Sequence, residues 1–343
     1  MKKHVNIPIF IPHLGCPNQC VFCNQRSITG VQAFELGKVR DEIEAALSTI
    51  SLETEVEIAF FGGSFTGIDR DLMVSLLKLA NEYVVKGRVS SIRCSTRPDY
   101  ISEDILSILK LYGVKTVELG LQSYDDNVLS MCKRGHTSLD ESIACDMIVR
   151  AGFDLVGQMM IGLPGSTPES ELATAKFIVK SGAKGARIYP TLVFKDTELA
   201  DMAMSNAYEP ITLQDAIKRS AAVFRVFIEN NIKVIRIGLC ASENLSDENK
   251  YYAGPNHPAL GEMVESEFYY ESIVKLLDEI DTETLSGITV LVKKGSLSKA
   301  IGQNRINKER LIQRFGFADI KFREDSSISG YEVKLEEGKR KCI

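Results

Sequence analysis

No apolar run in the chain approaches the roughly 20 residues that cross a bilayer as a helix. The N-terminus, Met1-Lys2-Lys3-His4, enters a short apolar stretch broken by Pro8 and Pro12, and so lacks the long apolar region of a signal peptide. Membrane insertion is excluded on these grounds, and a cytoplasmic location is expected. A disulfide framework is also missing. Of the 8 cysteines, Cys94, Cys132, Cys145, Cys240 and Cys342 stand isolated, which suits reduced thiols. These five are expected as small buried apolar side chains, with Cys240, in Arg236-Ile237-Gly238-Leu239-Cys240, placed near a pocket. No internal repeat or low-complexity tract is evident. With 343 residues, 44% hydrophobic and 25% charged, the composition is that of a globular protein with room for one large domain and a small one.

The net charge is −5, but it is unevenly spread. Between Gly287 and Arg323 nine Lys or Arg stand against two acids, leaving the rest of the chain at −12. A basic island on an acidic protein points to a polyanionic partner.

Short β-rich runs at Val5–Ile11, Val56–Phe61, Ser91–Ser95, Thr116–Leu121, Asp154–Ile161 and Gly185–Tyr189 read as strands. Between them Val39–Ile50, Asp71–Val85, Glu103–Leu111, Leu139–Ala151 and Pro168–Ser181 have helical apolar spacing. Six β/α units imply a parallel sheet covered by helices; periodicity does not distinguish an open sheet from a partial barrel. Helical spacing resumes at Leu213–Asn230 and a strand-like Lys233–Leu239 follows. The polar segment Ala241–Pro258 then reads as a boundary between a domain at 1–240 and a smaller one at 241–343. Beyond it come a helix (Ala259–Ile280), a strand (Gly287–Val292), short helices around Ser296–Ile301 and Lys308–Phe315, and strands Asp319–Phe322 and Tyr331–Leu335.

The segment Cys16-Pro17-Asn18-Gln19-Cys20-Val21-Phe22-Cys23 follows the first strand and offers three thiolates from one turn. Thiolates hold iron in iron–sulfur clusters. A cubane wants four ligands, so one iron would stay open to a cofactor or substrate, as in open catalytic metal sites. The alternatives are a structural zinc site, which normally needs a further Cys or His nearby, and unliganded thiols. Gly62-Gly63-Ser64-Phe65-Thr66 follows the second strand, and adjacent glycines allow close backbone approach. Gly120-Leu121-Gln122-Ser123 closes the fourth and leads to Lys133-Arg134-Gly135-His136-Thr137. Gln suits ribose hydroxyls and Arg a carboxylate; His136 has no assigned role. Gln158-Met159-Met160-Ile161-Gly162-Leu163-Pro164-Gly165 closes the fifth, with both methionines expected in the core.

The cysteine loop resembles that of the radical S-adenosylmethionine (radical SAM) superfamily. The resemblance implies an α/β fold, a partial (β/α)6 TIM-like barrel with a small α+β C-terminal domain. It also implies a 4Fe-4S cluster on Cys16, Cys20 and Cys23, and S-adenosyl-L-methionine held by Gly62, Gly63, Ser64, Gln122, Arg134 and Gln158, with the Gly-Leu-Pro-Gly turn along the adenine. In barrels of this type function gathers at the C-terminal strand ends.

Gly62–Thr66, Thr96-Arg97-Pro98-Asp99-Tyr100, Lys133–Thr137 and Ile188-Tyr189-Pro190-Thr191-Leu192-Val193 together resemble the radical domain of the Elongator catalytic subunit and its bacterial relatives, over roughly residues 5 to 240. Those proteins modify the wobble uridine of transfer RNA and carry an acetyltransferase domain after the radical domain. Here about a hundred residues follow Leu239, too few for that domain with its linkers, and Ser95 stands where the family has a carboxylate. Arg97, Tyr189 and Lys195 are the candidate catalytic pocket residues. The tail, with Gly302-Gln303-Asn304-Arg305 followed by Leu311 and Phe315-Gly316, resembles a KH-type RNA-binding module whose second turn glycine is replaced by Arg305. A basic α/β cap is the alternative. The expected partners are RNA, above all transfer RNA, through Lys293, Lys294, Lys299, Arg305, Lys308, Arg310 and Arg314, and an electron donor such as flavodoxin or ferredoxin. Two rival functions are a small-molecule enzyme like the oxygen-independent coproporphyrinogen III oxidases, whose further cysteine is missing after Cys23, and a non-catalytic RNA-binding protein with a structural metal.

Overall fold

The computed structural model describes residues 4–11, 16, 20–24, 34–239, 250–282 and 285–337, so Cys240 and Cys342 lie outside the described residues. The alternation of β-rich and amphipathic runs folds as β1 (His4–Phe10), α1 (Leu36–Thr49), β2 (Glu55–Phe61), α2 (Arg70–Val85), β3 (Ser91–Thr96), α3 (Glu103–Leu111), β4 (Val114–Gln122), α4 (Asp126–Met131), α5 (Ser138–Arg150), β5 (Asp154–Ile161), α6 (Pro168–Lys180) and β6 (Gly185–Pro190). After these come β7 (Val193–Phe194), α7 (Glu198–Met204), α8 (Leu213–Glu229), β8 (Lys233–Ile237), β9 (Tyr251–Ala253) and α9 (Leu260–Asp278).

β1 to β6 pair in chain order and all parallel, and β8 adds a seventh strand beside β6. The two outer strands do not pair with each other, so the sheet is an open half-barrel. Helix starts follow local capping chemistry: Asp69, Ser102, Thr137, Thr167 and Thr212 each accept a backbone N–H of the first turn. The helices α4 and α7 were not anticipated from sequence. Each is shorter than the window over which helical periodicity is legible.

Period-two alternation divides each strand between two environments. Ile58 and Phe60, Ile92 and Cys94, Val117 and Leu119, and Leu155 and Met159 join the helices in one apolar core. The opposite, inner face is polar. There Glu57 accepts from the Ser91 hydroxyl at 2.6 Å and from Arg93 Nε at 2.8 Å, with the His4 ring 2.9 Å away. Arg93 Nη1 continues to Glu118 Oε1 at 2.7 Å. Glu118 in turn receives Arg187 Nε at 2.7 Å and Nη2 at 3.1 Å. Four strands are thereby joined by alternating buried charges. Burial alone would raise the Glu57 carboxyl, but the Ser91 hydroxyl, Arg93 and His4 hold it below the usual range. Cys94, Cys132 and Cys145 are buried, and burial pushes each thiol up to about 12, as expected of inert structural thiols.

The remaining elements are β10 (Gly287–Lys293), α10 (Leu297–Ile301), α11 (Ile306–Phe315), β11 (Asp319–Asp325) and β12 (Val333–Glu337). β10 is central, parallel to β11 and antiparallel to β12. Helix α9 serves two cores: Leu260, Val264 and Phe268 pack with the half-barrel, while Tyr269, Ile273 and Leu277 pack on the small sheet. The Phe268 ring meets Phe224 and Tyr331 edge-on, which locks α8 to this seam. No helix among the described residues is long and apolar enough to cross a membrane.

Glu118→Ala removes the shared partner of two guanidinium groups, Arg93 buried and Arg187 half-buried. It should cost about 3–5 kcal/mol of stability, read as a lower urea midpoint. A loss under about 1 kcal/mol, the range of exposed pairs, would mean that water reaches both arginines.

Candidate active site

The cysteine loop leaves the C-terminal end of β1, where the Ile11 N–H donates to the Phe61 carbonyl at 2.7 Å. Gly62 sits against this bond with φ +100°, and a Cβ there would lie 3.0 Å from the Ile11 nitrogen. The close approach that Gly62 permits is therefore to the root of the cysteine loop. Beyond it the loop is tied down by the two short helices: Val21 N–H donates to the Cys132 carbonyl after α4, and Leu199 N–H in α7 donates to the Val21 carbonyl. Val21 packs with Val128, Leu163, Val193 and Leu199.

Cys20 is the innermost of the three thiols, only 7% exposed, and two guanidinium groups face it. Arg134 Nη1 lies 3.2 Å from its sulfur and Arg97 Nη1 3.9 Å. Cys16 reaches the buried Ser64 hydroxyl at 3.9 Å, and Cys23 N–H closes a turn onto the Cys20 carbonyl at 2.9 Å. Among the described residues no three Cys, His, Asp or Glu side chains are gathered tightly enough to enclose an ion. The loop brings its sulfurs to one end of the sheet without closing them round a centre. The donor chemistry nevertheless fits an iron–sulfur cluster: three soft thiols on one loop, with cationic donors rather than carboxylates facing the buried sulfur.

Both arginines are held from behind. Arg97 is bidentate on Asp99, at 2.9 and 3.0 Å, and also donates to the Arg134 carbonyl. Arg134 Nη2 donates to the Gly120 carbonyl at 2.6 Å. His136 caps nothing, since Thr137 forms the capping box of α5. Its Nε2 instead meets the fully buried Glu141 at 3.0 Å. Burial, reinforced by Arg134 and Arg97, pushes the imidazole down to about 4, and burial pushes the Glu141 carboxyl well above its usual value.

Between β4 and β5 the register slips at Gly120/Gln122, and Gln122 takes a left-handed φ of 71°. This turns its carbonyl oxygen Oε1 towards Gln158 Nε2 at 2.9 Å. The Gly162–Gly165 turn is anchored by buried Glu171, which accepts the Gly162 N–H at 2.7 Å and Arg219 Nε at 2.8 Å, and by the Tyr208 hydroxyl on the Gly162 carbonyl. Met159 is fully buried in the core, while Met160 is half-buried. Cys16, Cys20, Ser64, Gln122, Arg134 and Gln158 thus share one end of the sheet with Arg97. Tyr189 lies on β6 beside them, its hydroxyl 3.4 Å from Arg187 Nη1. Lys195 follows β7 and is exposed, with its backbone N–H on the Lys250 carbonyl. Sequence reasoning missed Asp99, Glu118, Glu141 and Arg187. Of these only Asp99 had a local signal, two residues after Arg97.

Residues 10–178 match the sequence profile of the Radical SAM superfamily, and residues 183–270 that of the Radical_SAM C-terminal domain. The chain belongs to the radical SAM superfamily. Its similarity to known members is partial. The tRNA uridine(34) acetyltransferase of Methanocaldococcus infernus is 36% identical over 137 residues, 39% of this chain and 26% of that protein. The same enzyme of Dehalococcoides mccartyi is 26% identical over 239 residues, 60% of this chain and 52% of that protein. Elongator complex protein 3 of Saccharomyces cerevisiae is 26% identical over 258 residues, 62% of this chain and 46% of that protein. The chain therefore spans about half or less of the length of these relatives. Archaeal Elp3 from Methanocaldococcus infernus, solved with an N-terminal deletion, has the same fold, with a TM-score of 0.63 at 19% identity over 79% of this chain and 64% of that one. Membership of the radical SAM superfamily implies a 4Fe-4S cluster and S-adenosylmethionine as cofactors.

The His136 imidazole predicts a pH dependence of stability. Above its unfolded value of about 6.5 it is neutral in both states. Between about 6.5 and about 4 only the unfolded chain binds the proton, so stability falls as pH falls, by up to roughly 3 kcal/mol. His136→Gln should remove that component of the slope in urea midpoints of the metal-free protein.

Proposed function

We propose that this chain is a radical SAM enzyme acting on RNA, with transfer RNA as the favoured substrate. The observation that carries the reading is the buried thiol of Cys20 under two guanidinium groups at the C-terminal end of a half-barrel of this superfamily. Cys16, Cys20 and Cys23 would hold a 4Fe-4S cluster; Gly62, Gly63, Ser64, Gln122, Arg134 and Gln158 would hold S-adenosylmethionine. When bound, the reduced cluster would supply one electron for cleavage of S-adenosylmethionine to methionine and a 5′-deoxyadenosyl radical able to take hydrogen from substrate. The protein's own part is to orient these groups and keep water out. The inner face does this with its charges already paired, leaving the Tyr189 hydroxyl and the Gln122–Gln158 amides as polar groups at the reacting end. Arg97 and Tyr189 serve as pocket residues in this reading, and Lys195, exposed after β7, as a further substrate contact. An external donor such as flavodoxin or ferredoxin reduces the cluster, and the cytoplasm is the compartment that suits it.

The similarity to tRNA uridine(34) acetyltransferases supports RNA as substrate. So does the region from 241 to 343, which we take as a unit distinct from 1–240, with α9 bridging them. Its β10-α10-α11-β11 order and the turn at Gly302-Gln303-Asn304-Arg305 agree with a KH-like module. Asn304 and Arg305 both take left-handed φ, 51° and 64°, so Arg305 keeps the backbone that a second glycine would supply. The basic cluster is smaller than sequence suggests: Lys299, Lys308, Arg310 and Arg314 pair with Glu265, Asp319, Glu267 and Asp278. Lys293, Lys294 and Arg305 are exposed and make no ion pair among the described residues, and they are the proposed phosphate contacts.

The test is anaerobic turnover of reconstituted protein with dithionite and S-adenosylmethionine, following 5′-deoxyadenosine with and without total transfer RNA. Stimulation by RNA is expected; slow cleavage indifferent to RNA would remove the substrate assignment, and no cleavage from an intact cluster would remove the enzyme reading. In salt titrations, Lys294→Glu with Arg305→Glu should weaken RNA binding and lessen the salt slope by about 2. Lys299→Glu, whose charge is already matched by Glu265, should change the slope less.

A further inference from the structure

Two arginines that the sequence assigns to S-adenosylmethionine and to a substrate pocket both spend a guanidinium nitrogen on one sulfur. Arg134 Nη1 is 3.2 Å and Arg97 Nη1 is 3.9 Å from Cys20 Sγ. Neither is a passing surface contact: Arg97 is 4% and Arg134 5% exposed. Neither is free to swing. Asp99 grips Arg97 through two oxygens, the Gly120 carbonyl holds the other nitrogen of Arg134, and Arg97 donates to the Arg134 backbone. Cys16 faces the neutral Ser64 hydroxyl. The charge on Cys20 is thus supplied by two buried side chains, one just after β3 and one just after α4.

We propose that Arg97 and Arg134 are positioning residues that tune the cluster through Cys20, raising its reduction potential. Hydrogen bonds and positive charge at a ligand sulfur stabilise the reduced, more negative cluster, and in a buried site of low dielectric the effect is strong. Asp99 acts one step behind, by fixing Arg97. The inference rests on the cluster assignment above and concerns electron entry, before any substrate is engaged.

The experiment is EPR-monitored potentiometry of the anaerobically reconstituted full chain without S-adenosylmethionine, comparing wild type with Arg97→Gln, Arg134→Gln and Asp99→Asn. Each arginine variant is expected to lower the reduced-to-oxidised ratio about tenfold at a fixed potential, about 59 mV for a one-electron couple. Asp99→Asn, which leaves the Arg97 charge and removes only its counter-charge, should not reproduce that lowering. Arg225→Gln, which removes a guanidinium held by Phe268, Ser272 and Glu271 far from the cysteines, controls for charge loss elsewhere and should leave the ratio unchanged. Should a variant fail to take up iron, the wild-type protein labelled with 15N-arginine answers the same question. Its reduced cluster should show 15N couplings in pulsed EPR. Unmoved potentials in cluster-loaded Arg97→Gln and Arg134→Gln, or no arginine coupling in the wild type, would overturn the proposal. Failure of the wild-type chain to assemble any cluster would instead remove the assignment on which it rests.

Discussion

The parallel strands pair in chain order, and right-handed crossovers between them put the β/α helices on one face of the sheet only. On the covered face Ile58, Phe60, Val117 and Leu119 meet helix side chains in a continuous apolar core. The inner face has no such cover, and the chain satisfies it with charge. Glu57, Arg93, Glu118 and Arg187 form a ladder in which each buried ion neutralises its neighbour on the next strand or the one beyond. Such a ladder is stable only when every member is paired, because one missing partner leaves a charge in low dielectric. It also fixes the relative heights of the strands, and hence the level at which their C-terminal ends present Gln158, Tyr189 and the cysteine loop.

The site above the ladder follows the same logic of paired, buried polar groups. Its cations are aimed at a thiol, its amides at each other, and its left-handed residues stand where a strand must be re-aimed. Gln122 is the clearest case. A non-glycine residue at φ 71° costs about 1 kcal/mol, and the register slip that accompanies it sets the amide against Gln158. Strain of this kind persists where the surroundings over-determine the conformation, which is common at functional sites. The short helices α4 and α7 do comparable work on the cysteine loop, each lending or taking one backbone hydrogen bond at Val21.

In the C-terminal unit, local charge and usable charge part company. A basic island read from composition is largely consumed at home, above all by the acids of α9. That helix carries Glu265 and Glu267 towards Lys299 and Arg310 while its apolar side chains complete two cores. Of the island's cations, those exposed and without an ion pair among the described residues are Lys293 and Lys294 at the end of β10, Arg305 in the left-handed turn before α11, and Lys321 on β11. A nucleic-acid surface there is accordingly small and local, with phosphate contact rather than base reading as its natural contribution.

Most of the architecture was legible in sequence because it rests on short-range periodicity. The six β/α units and their helices appear within three residues of the expected ends, and the cysteine loop, the glycine pair and the Gly-Leu-Pro-Gly turn fall at the strand ends as read. Cys16, Cys20 and Cys23 announce themselves because metal-ligand spacing is a local property of the chain. What sequence could not supply were partners distant along it: Arg93 with Glu118, Arg187 with Glu118, His136 with a fully buried Glu141, and Lys299 with Glu265. A lone charge looks alike in sequence whether it meets water or a buried ion, since nothing local specifies which strand will pass beside it. The sequence by itself determined the elements, their order and the thiol loop, through residue-level propensity and spacing. Only tertiary structure decided which charges are spent and which are free, because that depends on the packing of strands and helices far apart in the chain.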